Sequence, residues 1–346
     1  MNSKKKHIAC SLYALAVADA MSWQAMYHRS TLLPQWTRRI RREIDAESEI
    51  SRVLPIPMPF SLNQPAEFLS LCPTDDTEWG AFTMKVFLEA KGHPYQKFAL
   101  KCWQSLASQS QSIRGSISVQ SALFNLKHGL TPPASGRDNP QHNDDGAMVR
   151  SLIIGLAYSG NPDKASAIAK EDASITNADD GVWCAQSIAV AASLCVEGKP
   201  KRDIVRRAFE ELPEGSLSRR KTQLAIEIVE GHDSFLSAYP LLTERVVNKE
   251  YSYGCMAPEN LAIVLSLLQL VGNDSMLAIN AGLSFGKVSD SVAPLLAALV
   301  GGIQGDDKVF SEWNPYIRTL KGICIPEYSG LNYLDLVEEF CAYVSQ

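Results

Sequence analysis

A chain of 346 residues with 46% hydrophobic side chains carries enough apolar material for one large core, and no Pro/Ser/Gly-rich linker divides it, so a single domain over residues 1–346 is expected. A formal net charge of −5 supplies no basic field to hold phosphates, which excludes nucleic acid as the expected partner. The eight cysteines show no CxxC pair and no Cys/His cluster, which argues against a structural zinc site or a dense disulfide framework and for buried thiols in a reducing cytoplasm.

In chain order, the first element is an apolar run from Ile8 to Ala18, broken only by Ser11 and preceded by Lys4-Lys5-Lys6. That layout, ending in Ala16-Val17-Ala18, resembles a secretory signal, but the run is alanine-rich. An alanine-rich helix packed closely in a core gives the same pattern and is the preferred reading. No segment reaches the roughly 18 uninterrupted apolar residues of a membrane-crossing helix, so no membrane partner is expected.

The next segment, Trp36-Thr37-Arg38-Arg39-Ile40-Arg41-Arg42-Glu43 followed by Asp45, Glu47 and Glu49, has two readings. One is a solvated helix face with pairs such as Arg41 and Asp45; the other is an arginine patch that meets a phosphorylated ligand or an acidic partner. Pro55, Pro57, Pro59, Pro65 and Pro73 then exclude a helix interior from 54–74, and 130–146 is polar and turn-rich. Loop insertions are therefore expected at about 29–72 and 130–146. Each runs into a polar cluster followed by helix, which favours a functional role.

The periodic segments are helical. Val182, Ala185, Ala189 and Ala192 share a face over 181–195, after Asp179-Asp180-Gly181 as cap and turn. Leu224 to Val229 reads as strand or helix. Pro258 and Glu259 open a nearly all-apolar helix from Asn260 to Val271, stopped by Gly272-Asn273-Asp274. Leu334, Val337, Cys341 and Val344 make 331–346 an amphipathic terminal helix with Glu338 and Glu339 opposite. The fold class is all-α, a single compact multi-helix domain.

Two acidic motifs carry the chemistry: Pro73-Thr74-Asp75-Asp76-Thr77-Glu78-Trp79, and Phe285-Gly286-Lys287-Val288-Ser289-Asp290-Ser291. Brought together, their hydroxyls and carboxylates make an all-oxygen cage for a hard cation such as Mg²⁺ or Mn²⁺. Each motif also reads as a plain helix cap, and Asp145-Gly146 as a plain turn. The six histidines show no metal-ligand spacing.

Four segments in order resemble the ADP-ribosylglycohydrolase family, of the dinitrogenase-reductase-activating-glycohydrolase type. Ala14 to Met21 resembles the family's opening Gly-x-x-x-Gly-Asp-Ala-Leu-Gly helix, and Pro73 to Trp79 its Thr-Asp-Asp-Thr motif. Asp145-Gly146-Ala147-Met148-Val149-Arg150 is similar to its Asn-Gly-x-x-Met-Arg segment. Gly286 to Gly302 is similar to its closing Gly-Asp-x-Asp-Ser/Thr and small-residue helix.

The resemblance implies an all-α globule with a binuclear Mg²⁺ centre that hydrolyses the bond between ADP-ribose and a modified acceptor. It implies Thr74, Asp75, Asp76, Asp290 and Ser291 as metal ligands, with Asp75, Asp76 and Asp290 catalytic, and Asp19, Asp145, Gly146, Met148, Arg150 and Gly286 along the ADP-ribose cleft. Two departures weaken that centre. Val288 stands at the closing motif's first Asp, and Met26 at a metal-linked glutamate of the opening motif. Asp290 is the only carboxylate between Ser284 and Gly305; Glu43, Asp45, Glu47 and Glu49 are conceivable substitutes for the glutamate. Asn177 falls where many relatives have a Thr-His pair, and Lys287 is expected to bring positive charge to the gap at Val288. The implied centre holds one ion or two, or the chain is a catalytically impaired ADP-ribose-binding or immunity-type protein facing an ADP-ribosyltransferase partner.

Overall fold

The computed structural model describes residues 3–31, 71–90, 93–248 and 255–345, with side chains over 4–22 in the first of these. The arginine-rich segment from Trp36 to Glu49, the proline-rich stretch as far as residue 70 and the side chain of Met26 lie outside the described residues.

The alanine-rich run is the middle of α1 (Ser3–Thr31), where Ile8, Leu12, Ala14, Leu15 and Ala18 are wholly buried. After it come α2 (Asp75–Ala90), α3 (Tyr95–Ser108), α4 (Ile117–Lys127), α5 (Ala134–Arg137), α6 (Met148–Ala157), α7 (Pro162–Ala173) and α8 (Asp180–Cys195). The second half contains α9 (Lys201–Phe209), α10 (Leu217–Glu230), α11 (Phe235–Arg245), α12 (Ala257–Leu270), α13 (Ser275–Leu283), α14 (Ser289–Gln304), α15 (Asn314–Ile317) and α16 (Tyr333–Val344). Among the described residues there is no strand, only two isolated antiparallel bridges, Asp144 with Met256 and Thr319 with Asn332. The ambiguous stretch from Leu224 to Val229 is helical, within α10.

Small residues set the closest crossings. α1 packs most extensively on α14, and a methyl group on Gly301 would come within 2.8 Å of the Cys10 carbonyl and 2.9 Å of the Ala14 β-carbon. Two helices meet that closely only where one presents no side chain, so the alanine-rich run and Gly301-Gly302 belong to one contact. His7 adds a ring nitrogen 2.7 Å from the Gly302 carbonyl. α14 then ends at Gly305, whose φ of 65° is the left-handed cap.

α2 is anchored by aromatics. Trp79 stacks on Trp103 of α3 at 5.2 Å, and Phe82 meets both edge-on. The terminal helix α16 buries Leu334, Val337, Phe340 and Cys341 and leaves Glu338 and Glu339 exposed, as its periodicity requires. No disulfide links the described cysteines, most of which are buried. Among the described residues no helix is long and apolar enough to cross a membrane.

Candidate active site

Three helix N-termini and one loop build the site. α2 contributes Asp75 and Asp76, α14 contributes Asp290 and Ser291, α12 contributes Asn260, and the loop before α6 contributes Asp144 and Asp145. Acidic side chains are favoured in the first turn, where unsatisfied N–H groups leave partial positive charge.

Asp19 fixes the first half. The carboxylate is buried in α1 and accepts from the Thr74 and Thr77 backbone N–H groups at 2.7 and 3.0 Å. Both threonine hydroxyls also donate to it, each at 2.5 Å. The two threonines of the Thr-Asp-Asp-Thr motif therefore hold the start of α2 on α1, with Asp75 and Asp76, both half-buried, in its first turn. One Asp76 oxygen, Oδ2, is buried with no hydrogen-bond partner. Glu78 serves elsewhere: its buried carboxylate accepts from the backbone N–H groups of Ile323, Cys324 and Ile325 at 2.8, 2.7 and 3.0 Å, which pins that loop to α2.

The second half is held by the loop before α6. Asp144 accepts from the Ser118 hydroxyl at 2.5 Å, from the Ser118 and Gly146 backbone N–H groups, both at 3.1 Å, and from the Asn177 amide at 3.0 Å. Asn177, which lies where relatives have a Thr-His pair, thus braces the loop. The Asp145 N–H donates to the Cys255 carbonyl at 2.8 Å, and its carboxylate accepts from the Asn260 amide.

These carboxylates act on one another. Burial raises Asp75 well above the ordinary value, and the charges of Asp19, Asp290 and Asp145 push it further. Asp76 rises in the same way, from burial and then from Asp75, Asp19, Asp145 and Asp290. Asp19 is raised by burial despite its four hydrogen bonds. Asp145 is pushed up to about 7, first by burial and then by Asp144 and Asp290, against the opposing hydrogen bonds from Ser291 and Asn260. Crowded, buried carboxylates that favour protonation are the electrostatic mark of a site short of positive charge.

The donors suit a hard cation in kind. All are carboxylate or hydroxyl oxygens, and the Asp76 Oδ2 atom lacks a partner. They are not a finished cage, because no three His, Cys, Asp or Glu side chains close on a common point among the described residues. Val288 gives nothing: its side chain is wholly buried in the core. The donors are thus of the right chemical kind for a hard cation without converging on one point among the described residues.

Other sequence-predicted residues fall as follows. Arg150 is wholly buried, and its guanidinium donates to Asp172 at 2.8 Å, the Gly146 carbonyl at 2.7 Å and the Thr176 hydroxyl at 2.8 Å. It also lies over the Trp103 ring at 4.9 Å, so it braces the Asp145-Gly146 loop from behind. Met148 is buried in the core, and Gly286 is exposed. Lys287 directs its ammonium to Glu259 at 2.8 Å and the Asn248 carbonyl at 2.7 Å. The charge expected at the Val288 gap is thus held by a carboxylate of α12. Asn260 escaped the sequence reading, although a lone amide in the first turn of an otherwise apolar helix was a usable signal.

The ADP-ribosylglycohydrolase family model matches residues 2–339. The chain belongs to the ADP-ribosylglycohydrolase family. A comparison with curated protein sequences finds no match. A solved structure described as an ADP-ribosylglycohydrolase-related protein complex is similar over 100% of this chain and 99% of its own, with a TM-score of 0.62 and 16% identity, which speaks to the fold. Membership points to a glycosidase-type hydrolase, with ADP-ribosylated substrates or ADP-ribose as ligands of the family.

Proposed function

We propose that this ADP-ribosylglycohydrolase-family chain is a cytoplasmic, Mg²⁺-dependent hydrolase that releases ADP-ribose from a modified acceptor. Thr74, Asp75, Asp76, Asp290 and Ser291 would hold the ion. The observation that carries the reading is the mutual charge crowding of Asp19 on α1, Asp75 and Asp76 at the start of α2, Asp145 in the loop before α6 and Asp290 at the start of α14, within the family's fold. Bound Mg²⁺ would supply Lewis acidity, for water and for the ribose hydroxyls. The protein's own part is placement. Asp19 locks α2 so that Asp75 and Asp76 keep a fixed separation from Asp290 on α14, and the surrounding anionic field favours the oxocarbenium-like charge that develops at the anomeric carbon.

Purified protein with Mg²⁺ at neutral pH should release ADP-ribose from at least one of arginine-linked, serine-linked and nucleobase-linked substrates. Asp75→Ala should lower that rate by roughly a hundredfold, in line with the loss of a metal ligand's support. The reading fails if none of the three substrates is cleaved and Asp75→Ala changes no ligand affinity.

One observation favours a second reading. The closing motif's first carboxylate is replaced by Val288, buried in the core, and position 26 carries Met. A centre reduced in this way suits a catalytically impaired ADP-ribose-binding or immunity-type protein that engages an ADP-ribosyltransferase partner. Metal counting separates the two: two ions per chain support the enzyme, and none with retained partner binding supports the binder. Deleting residues 29–49 without effect on any candidate partner would remove the arginine-rich segment from the second reading.

A further inference from the structure

We propose that the cleft between α9 and α10 binds a small phosphate monoester, with Arg219 and Arg220 taking the phosphate and Glu227 a hydroxyl of the organic part. The cleft lies on two helices that supply none of the candidate active site's carboxylates, so it goes beyond the Mg²⁺ reading and does not depend on it.

The helical repeat brings Arg219, Arg220, Gln223, Leu224 and Glu227 to one side of α10. With Phe209, the last residue of α9, they line an open cleft of about 330 Å³. That is the lower end of the range for small organic ligands, roughly 300–1,000 Å³. The first backbone N–H groups of α10 are already taken: Ser218 donates to Asp180 at 2.9 Å and Arg219 to the Ser216 hydroxyl at 3.1 Å. What the cleft offers an anion is side-chain charge.

That charge is uncommitted. On α9, Arg206 reaches Asp203 at 3.3 Å, and Arg207 reaches Asp163 and Glu211, each at 2.6 Å. Across the turn the pattern stops. Arg219 donates to the Leu212 carbonyl at 2.6 Å, Arg220 to the Gly215 carbonyl, and Lys221 to the Val246 carbonyl at 2.7 Å. Among the described residues none of these three cations forms an ion pair with a carboxylate. A guanidinium carries five N–H donors, so one carbonyl leaves most of them for a ligand. In a chain of net charge −5, such a run is a local departure from the surrounding surface.

The geometry also selects the kind of anion. Arg219 lies over the Phe209 ring at 4.5 Å, which fixes the plane of its guanidinium. A planar fork held in place matches two phosphate oxygens at once. Glu227 accepts the Gln223 amide on Oε1 at 2.8 Å, leaving Oε2 for a hydroxyl and repelling phosphate from that end. Seven residues separate Arg220 from Glu227, about 10 Å along the helix, with Leu224 between them as an apolar contact. A ligand that satisfies both ends is a phosphate joined to a hydroxylated body. Sugar phosphates and nucleoside monophosphates share that chemistry.

Isothermal titration of the full chain, in chelator, with ribose 5-phosphate, AMP and inorganic phosphate tests the site. At least one ester should bind about tenfold more tightly than inorganic phosphate. Tighter binding of AMP assigns a nucleotide; equal or tighter binding of ribose 5-phosphate assigns a sugar phosphate. Arg220→Gln, at an exposed position, should weaken ester binding by about tenfold, and Glu227→Gln should narrow the preference for ester over inorganic phosphate. Asp75→Ala, in the candidate active site, should leave both unchanged. If Arg220→Gln shows no cooperative thermal transition, Arg220→Lys, which keeps the charge and loses the fork, takes its place. The proposal is overturned if neither ester binds, or if inorganic phosphate binds within about twofold of both. It is also overturned if Arg220→Gln binds the ester within about twofold of the parent; a weakened Asp75→Ala would then place the ester in the active site.

Discussion

Asp145→Asn makes the sharpest prediction for the metal-free protein. Asp145 is raised from 3.8 to about 7, a shift of about 3 units. At about 1.4 kcal/mol per unit, ionising it in the folded protein costs up to about 4 kcal/mol relative to ionising it in the unfolded chain. The sign follows from a folded pKa above the unfolded one. The group's stabilising contribution is complete below pH 4 and is lost as pH rises through 7. Asparagine removes that loss while exchanging a charge-assisted hydrogen bond from Asn260 for a neutral one, at a cost of about 1 kcal/mol. With chelator present, the variant should match the parent near pH 5 and exceed it by about 3 kcal/mol at pH 8, or roughly 5 °C in melting temperature for a chain of this size. Differential scanning calorimetry with EDTA from pH 5 to 8.5 reads this directly. Added Mg²⁺ should then favour the parent, whose carboxylate gains a counter-charge. Parallel pH profiles for the two proteins in EDTA would refute the claim that Asp145 is buried among like charges.

Glu78→Ala leaves three backbone N–H groups of the 323–325 loop without an acceptor, and urea unfolding should show a loss of at least about 3 kcal/mol. Arg150→Ala strands the buried Asp172 carboxylate, with an expected loss of about 3–5 kcal/mol by the same assay. Gly301→Ala forces α1 and α14 apart and should cost about 1–3 kcal/mol, where an unchanged urea midpoint would contradict the 2.8 Å approach to Cys10. Metal binding should displace protons: at pH 6.5 a carboxylate with a pKa near 7 is roughly three-quarters protonated, so calorimetric Mn²⁺ titrations in buffers of different ionisation enthalpy should differ, and differ less in Asp145→Asn.

Local pattern carried most of the fold. The face of Leu334, Val337 and Cys341 defined α16, and Pro258 with Gly272 bracketed α12, because periodicity and end signals act over one or two turns. The alanine-rich start was ambiguous in sequence because its meaning depends on a partner nearly 300 positions away. Gly301-Gly302 is what makes close packing of that run possible, and no local rule connects them.

The site divided along the same line. The Thr-Asp-Asp-Thr motif was visible, yet its two threonines turned out to bind Asp19 across a separation of more than fifty residues. Arg150 has the charge and the motif position of a substrate contact, but Asp172 and Thr176 claim its guanidinium, and nothing in the spacing of those residues announces it. Lys287 likewise sits beside Val288 in sequence while its ammonium turns to Glu259. Charge type is legible from sequence, whereas the partner that neutralises it is set by packing. For that reason the unsatisfied part of the cluster is the informative part: Arg150 and Lys287 are already paired, so neither of these cations is free to offset Asp75, Asp76 and Asp145. A bound cation would relieve that crowding and stabilise the folded chain by mass action, in proportion to the logarithm of its concentration over its dissociation constant.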